Sequence, residues 1–264
     1  MTLVWRPGFQ FDTDASTYIE AVEAADTQAL ETATRYAIND FVIGCKQDGI
    51  WSAIKASCIL AGARTRQGAL VPLANASSIV PTFNGTAGGW NYNRKTGLQG
   101  NGTDNYLDSS RDYKADPQNN RHVAVYCTQN DSRPSLFTDA LGGQPSGGAG
   151  RTILEFYNGN VYIATNTTNT TVDRGAFVPG MIGGARSDPT FSTSIHNKSL
   201  LTSAFASAWP ALTSNLLVFA INNPTPANYT NARLAFYSIG ESLNLAALDA
   251  RVTALITAFG VAIP

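Results

Sequence analysis

The sequence predicts a mainly β protein, a β-sandwich or jelly roll with N-terminal helices and a C-terminal helix packed on it. Three observations predict this. From Ser57 onward, short apolar runs recur between turns rich in Gly, Asn and Pro, the pattern of a sandwich. Residues 14–54 carry apolar side chains at helical spacing, and so do residues 245–259. With 264 residues, 44% of them apolar, the chain can bury one large core.

The elements follow in order. Residues 1–13 read as an extended arm punctuated by Pro7-Gly8. Tyr18, Ile19 and Val22 form a first helical stripe, and Leu30, Ile38, Phe41, Val42 and Cys45 belong to a second. Asp26-Thr27 marks the break, and Ile50, Trp51 and Ile54 add a last helical turn. These give a helical segment over 1–56 and a sandwich with its C-terminal helix over 57–264. Strands are expected at 58–63, 69–73, 121–127, 134–140, 151–157, 160–165, 177–185, 190–196, 199–204 and 215–221, with another starting at Asn105-Tyr106-Leu107. Asn158-Gly159 is the strongest hairpin signal, because a type I′ turn requires φ > 0 at both central residues. Residues 74–104 read as a long elaborated loop, Gly142–Gly150 as a flexible one, Asn166–Thr171 as a polar loop tip, and Trp209-Pro210 as the anchor of another loop. A last strand over 232–239 stops at Gly240. Leu245, Leu248, Val252, Leu255, Ile256 and Phe259 then form one apolar stripe, with Asn244 as N-cap and Gly260 as the residue after the helix.

Charged residues make up only 14% of the chain, with five glutamates and five lysines, against roughly 25% in an average soluble protein. Such a surface suits a protein packed against others. A net charge of −1 argues against nucleic acid, which needs clustered Lys and Arg. No early basic-then-apolar stretch resembles a signal peptide, and no apolar run looks long enough for membrane insertion. The chain is therefore expected in the cytoplasm, or leaving it without a secretory signal. Cys45, Cys58 and Cys127 lie apart in apolar surroundings and read as buried free thiols. The Asn-x-Ser/Thr triplets at Asn84, Asn101 and Asn166 match glycosylation acceptors, although a chain this rich in Asn and Thr produces them by chance.

Tyr92-Asn93-Arg94-Lys95-Thr96-Gly97-Leu98-Gln99-Gly100-Asn101-Gly102-Thr103-Asp104-Asn105-Tyr106-Leu107 carries a family resemblance. Asp48-Gly49-Ile50-Trp51, Ile59-Leu60-Ala61-Gly62-Ala63 and Phe236-Tyr237-Ser238-Ile239-Gly240-Glu241-Ser242-Leu243 support it, and together the pieces span most of residues 40–260. The chain resembles the concanavalin A-like (laminin-G-like) modules of tailed-phage tail, fibre and baseplate proteins, a type often met in cyanophages. The resemblance implies a concanavalin A-like jelly-roll sandwich and a non-enzymatic structural role in the virion, made in the host cytoplasm. The organ of the virion stays open.

Enzymatic chemistry finds little purchase. The concanavalin A-like glucanases use Glu-x-Asp-x-x-Glu on one strand, and Glu155 stands alone in its strand while the other glutamates lie in or beside helices. His122 and His196 have no Gly-x-Ser-x-Gly partner and no cysteine partner for a transition metal. His122 opens an apolar strand and reads as structural. Calcium is the one cofactor with suitable ligands, since Asp104, Asp108, Asp112 and Asp116 recur near Asn101, Asn105, Asn119 and Asn120. The spacing is not that of a calcium loop.

Three functions stay open. The first is a virion component that assembles with other virion proteins as a homo-oligomer through Val4, Trp5, Phe9 and Phe11 of the arm, which would be costly to expose. The second is a lectin-like module that recognises host-surface glycan. Its candidate residues are Trp90, Tyr92, Arg94, Asn101, Asp104, Tyr106 and Tyr113, aromatic platforms and hydrogen-bond partners for a pyranose. The alternative for Trp90 and Tyr92 is to pin their loop to the sandwich. The third is a polysaccharide-degrading enzyme.

Overall fold

A computed structural model describes residues 10–74, 81–144, 149–168, 170–208 and 214–264. Val4, Trp5 and Phe9 of the arm, Gly147-Gly148 and Trp209-Pro210 lie outside them. Helices α1 (Thr13–Asp26) and α2 (Thr32–Gln47) stand where their stripes predict. Asp12 caps α1, its Oδ1 accepting from the Asp14 amide at 3.0 Å. Thr27 ends α1 with φ of 54°. A single 3-10 turn, Trp51–Ala53, leads into β1 (Ile54–Ile59), so Ile54 begins a strand rather than ending a helix.

The strands continue with β2 (Thr82–Asn84), β3 (Asn91–Asn93), β4 (Gly97–Gln99), β5 (Tyr106–Asp112) and β6 (Arg121–Gln129). After them come β7 (Thr138–Gly143), β8 (Ala149–Tyr157), β9 (Asn160–Thr168) and β10 (Val172–Ala176). The last are β11 (Gly180–Arg186), β12 (Phe191–His196), β13 (Ser199–Ala204), β14 (Asn215–Val218), β15 (Ile221–Asn222), β16 (Pro226–Ala227) and β17 (Arg233–Gly240). Helix α3 (Leu245–Ala262) closes the chain.

Among the described residues the strands form two sheets. The inner, eight-stranded sheet runs β13-β12-β11-β6-β17-β4-β3, with β1 also paired to β17. The outer, nine-stranded sheet runs β10-β9-β8-β7-β14-β5-β2, with β15 and β16 attached at β7. Pairing is antiparallel except between β15 and β7.

Period-two alternation divides the inner sheet between two cores. Val123, Val125, Cys127, Ile182, Tyr237 and Ile239 face the outer sheet, where Leu107, Leu154, Phe156, Val161 and Val218 meet them. Ala124, Met181, Ala185, Ala235 and Phe236 face the helices. There Tyr18, Val22, Ile38, Phe41 and Val42 join Leu248, Val252, Leu255 and Phe259 of α3. Phe41 meets Phe236 edge-on at 5.9 Å. The molecule is therefore a three-layer stack of helices, inner sheet and outer sheet, and the core runs straight across the boundary at residue 56. Gly62 makes room for this packing: a Cβ there would lie 2.7 Å from the Phe259 ring.

Several local expectations are corrected. Residues 69–73 form a 3-10 turn, Gly68–Leu70, and one isolated bridge from Cys58 to Pro72; Pro72 has no amide to extend a ladder. The expected loop 74–104 contributes three short strands. The strand 215–221 breaks at Phe219, whose φ of 69° lets β14 and β15 meet β7 in opposite directions. Asn166, expected at an exposed loop tip, is buried within β9 at φ 55°. Asn158 and Gly159 turn the hairpin as expected, with φ of 50° and 75°.

Asn244 caps α3, accepting from the Ala246 and Ala247 amides at 3.0 and 3.2 Å. Gly260 does not end the helix, which runs to Ala262. At 18 residues and a mean hydropathy of 1.6, α3 is long and apolar enough to cross a membrane by length and composition alone, contrary to the expectation from sequence. Its buried stripe packs on α2 and the inner sheet. All three cysteines are free and buried, and burial pushes the Cys45 and Cys58 thiols up to about 12.

Candidate functional site

The expected glycan residues do not share a surface. Trp90 is a core residue at 8% exposure, its ring held edge-on by Phe83 at 5.1 Å and Phe219 at 5.2 Å. The Tyr92 hydroxyl donates to the Ala63 carbonyl at 2.7 Å, and burial raises its pKa. Arg94 grips Glu31 with both arms, at 3.0 and 2.7 Å, and these bonds hold the Glu31 carboxyl down at about 2. Trp90 and Tyr92 thus pin their segment to the sandwich, and Arg94 ties it to the entry of α2.

Asn101 and Asp104 serve a turn. Asn101 Oδ1 accepts from the amides of Thr103, Asp104 and Asn105 at 2.9–3.1 Å. Asp104 accepts from Asn101 Nδ2 and from Thr86. Tyr106 is half-buried beside Tyr229, with ring centroids 6.2 Å apart. Tyr113 is buried and donates to Thr152 Oγ1 at 2.6 Å.

The aspartates considered for calcium do not converge. Asp104 bonds Thr86, Asp108 accepts from Asn215, Asp112 from the Lys114 amide, and Asp116 pairs with Arg111. Among the described residues no cluster of three or more metal-ligating His, Cys, Asp or Glu occurs. His122 is enclosed, its Nδ1 2.5 Å from the Glu241 carbonyl and its Nε2 2.7 Å from Ser238 Oγ. Phe11, the one arm aromatic described, packs edge-on against Tyr36 at 5.2 Å within its own subunit.

The outer sheet presents a different site. Its exposed face holds a depression of about 550 Å³ lined by Phe137, Gln144, Arg151, Glu155, Tyr157, Tyr162, Thr171, Asn223 and Asn228. The alternation along β8 builds it: Leu154 and Phe156 point into the core, so Glu155 and Tyr157 point out. Tyr162 is the cross-strand partner of Glu155 on β9. Phe137 precedes β7, and its segment is tied down by the Asn158 amide, which donates to the Pro134 carbonyl at 2.6 Å. The Phe137 and Tyr157 rings stack with centroids 3.8 Å apart and planes 6° from parallel. Phe137 is nonetheless 52% exposed, so its outer face is open to solvent.

Beneath the platform lies a pair of carboxylates. Glu155 does not stand alone, because Asp139 on β7 is its direct cross-strand partner. Asp139 is fully buried and accepts from Asn228 Nδ2 at 3.0 Å; its other oxygen has no partner among the described residues. Burial, reinforced by the neighbouring Glu155, pushes the Asp139 carboxyl well above its ordinary range. Burial also raises Glu155, against the opposing pull of Arg151, whose Nη2 donates to it at 2.9 Å. The only cation lining the depression among the described residues is therefore matched by a carboxylate. Asp139 cannot touch a ligand while fully enclosed, and Glu155 is only 4% exposed.

No protein-family model matches the chain, and no curated protein matches it. Among solved structures, it is similar to the receptor-binding domain of the botulinum neurotoxin C/D mosaic serotype, with a TM-score of 0.53 at 8% identity over 77% of this chain and 51% of that one. It is also similar to the binding domain of botulinum neurotoxin serotype D, with a TM-score of 0.51 at 9% identity over 76% and 51%. The chain thus spans about half the length of these two domains. A third likeness, to the Ruminococcus gnavus IT-sialidase CBM40 bound to α2,3-sialyllactose, has a TM-score of 0.40 at 15% identity over 50% of this chain and 83% of that one, too loose to carry weight. At these identities the likeness is one of fold. The fold it defines is the jelly-roll β-sandwich: two packed sheets, with helices at both termini of the chain. The virion part of the sequence resemblance gains nothing from these neighbours.

Proposed function

We propose that this chain is a glycan-binding module and that its saccharide lies across the exposed face of the outer sheet. The observation that carries this reading is the Phe137–Tyr157 stack at the rim of a depression otherwise lined by polar groups. The half-exposed Phe137 ring, backed by a parallel tyrosine, offers a flat apolar face at the sheet surface. Its open face matches the CH face of a pyranose, with Tyr157 behind it as a rigid backing. Asn228, Asn223, Gln144 and Tyr162 supply the hydrogen-bonding groups that saccharide hydroxyls require. Because Arg151 is matched by Glu155 and no other cation among the described residues lines the depression, the site favours neutral saccharides over acidic ones. One of the fold neighbours is named for receptor binding, a function of the same class.

The test is calorimetric titration with neutral oligosaccharides and their sialylated counterparts, lactose against sialyllactose among them. At least one neutral sugar should bind at millimolar affinity or better. Phe137→Ala, a surface change that leaves the core intact, should weaken binding about tenfold, equivalent to ~1.4 kcal/mol. A panel that binds nowhere, or a Phe137→Ala variant that binds like the parent, would defeat this reading. Tighter binding of the acidic sugars would defeat only the charge preference.

A second reading, assembly into a virion, has one structural feature in its favour: the exposed apolar edge of the inner sheet at β13. Polysaccharide cleavage has less support, because the Asp139 and Glu155 carboxyls lie under the surface rather than across an open cleft.

A further inference from the structure

The edges of the two sheets differ in a way that singles out one of them. On the outer sheet, β10 is bulged between Asp173 and Ala176 and carries the charged Asp173 and Arg174. Bulges and charges of this kind block pairing with another chain. The outer sheet's other edge, β2, and the inner sheet's edge at β3 have only three residues each. The free side of β1 is covered by the following chain, where the Leu73 amide donates to the Ser57 carbonyl at 2.9 Å.

The remaining edge, β13, has none of these protections among the described residues. Its register with β12 runs unbroken through six pairs, from Phe191–Ala204 to His196–Ser199. Five of its six residues are exposed, Leu200 at 49% and Leu201 at 43%, with Phe191 at 48% on the neighbouring strand. Leu200 stands across from Ile195 and Leu201 from Ser194, so leucines project from both faces of this edge. Ser199–Ala204 contains no charged residue and no proline.

We propose that two copies of this chain pair antiparallel through β13, joining their inner sheets into one continuous sheet across a twofold axis. This goes beyond the glycan reading and does not depend on it. Charge placement selects a second copy in this orientation. The only charge in the hairpin is Lys198, at its tip. Antiparallel pairing sets the two Lys198 residues at opposite ends of the shared ladder, about 20 Å apart at ~3.4 Å per residue. A parallel arrangement would bring them together. An isologous contact of this type also closes on itself and leaves no further edge to propagate.

Light scattering on the full-length protein at about 100 μM tests the proposal. The expected result is a mass twice that of the chain, falling to the single-chain mass in Leu200→Lys and Leu201→Lys. Those variants should keep the parent's circular dichroism and melting temperature, because both side chains lie at the surface. Leu201→Ile should remain paired. A parent protein that is monomeric at this concentration overturns the proposal and leaves the edge to a strand of another protein. An oligomer that survives both lysine substitutions, or that is lost only when residues 1–13 are removed, also overturns it.

Discussion

Lowering the pH should destabilise this fold through its buried histidines, His122 and His196, before its salt bridges are touched, and substitution isolates the larger effect at His122. His122 is wholly enclosed. Its Nδ1–H donates to the Glu241 carbonyl, leaving Nε2 to accept from the Ser238 hydroxyl. Burial, partly offset by the Glu241 carbonyl, depresses its pKa from 6.5 to about 4. The folded state therefore binds the proton less readily than the unfolded chain. The stability His122 contributes is fully present above pH 6.5 and is lost as the pH falls toward its folded pKa. The drop from 6.5 to about 4 corresponds to roughly 3 kcal/mol in total, of which about 2 kcal/mol is gone by pH 5. The assay is urea unfolding at half-unit steps from pH 7.5 to 4.5, comparing the parent with His122→Gln. Glutamine loses some stability at every pH but cannot titrate, so the parent should fall by ~2 kcal/mol more than the variant between pH 7.5 and 5. Glu31, held at about 2 by Arg94, loses its contribution only below pH 4.5 and stays out of this window. Parallel curves for the two proteins would show that His122 is not a buried neutral imidazole, and a proton-transfer role would have to be reconsidered.

Asp139 should behave with the opposite sign. Its raised pKa favours the protonated form in the folded state, so its contribution is present at low pH and is lost as the pH rises through the folded value. Asp139→Asn should therefore be more stable than the parent at pH 9 and lose less stability between pH 5 and 9; a urea midpoint below the parent's at pH 9 would contradict this. If both the β13 pairing and the outer-sheet site hold, the twofold axis stands normal to the joined sheet, and both depressions face the same side. Immobilised neutral glycan should then retain the dimer at least 100-fold longer than Leu201→Lys, with no difference between them for free sugar in solution. Equal residence times on the surface would refute that geometry.

The architecture was largely legible in the sequence, because its carriers are local. The stripes of α1, α2 and α3, the Asn244 cap and the Asn158-Gly159 turn are each decided within a few residues. What failed was also local in origin. Residues 69–73 look like a strand by composition, but only the path of the chain around Pro72 decides whether they find a partner. Phe219 could not be recognised as a break, since a left-handed phenylalanine is imposed by its tertiary surroundings.

The site was illegible for a different reason. Asp139 and Glu155 are 16 residues apart in sequence but adjacent in register, and a register broken between Asp139 and Leu141 cannot be counted from sequence alone. Phe137 and Tyr157 likewise meet because the β7–β8 register, with Thr138 opposite Phe156, sets them across from each other, and the Asn158–Pro134 bond ties the segment down. In contrast, Trp90, Tyr92 and Arg94 attracted notice because they cluster in sequence, and that clustering serves the anchoring of their own segment.

The layer order explains why the outer sheet is left for function. The inner sheet spends both faces on packing, one against the helices and one against its partner sheet. Among the described residues only its edges remain free, and of these β13 alone is longer than three residues and has no covering segment. Among the described residues, the outer sheet has nothing packed over much of its far face except the small cluster of Ile153, Ala164 and Ile221, with Ala227 against it. Beside that cluster lie the buried Asp139–Glu155 pair and the half-exposed Phe137, one face of its ring stacked on Tyr157. Burying two carboxyl groups at a sheet surface is costly, and an open phenyl ring forfeits apolar burial. A sandwich selected for assembly alone would gain by replacing both with aliphatic side chains. Of these groups only the Phe137 ring is open to solvent, and the saccharide proposed for this face would cover it and bond the polar groups at the rim.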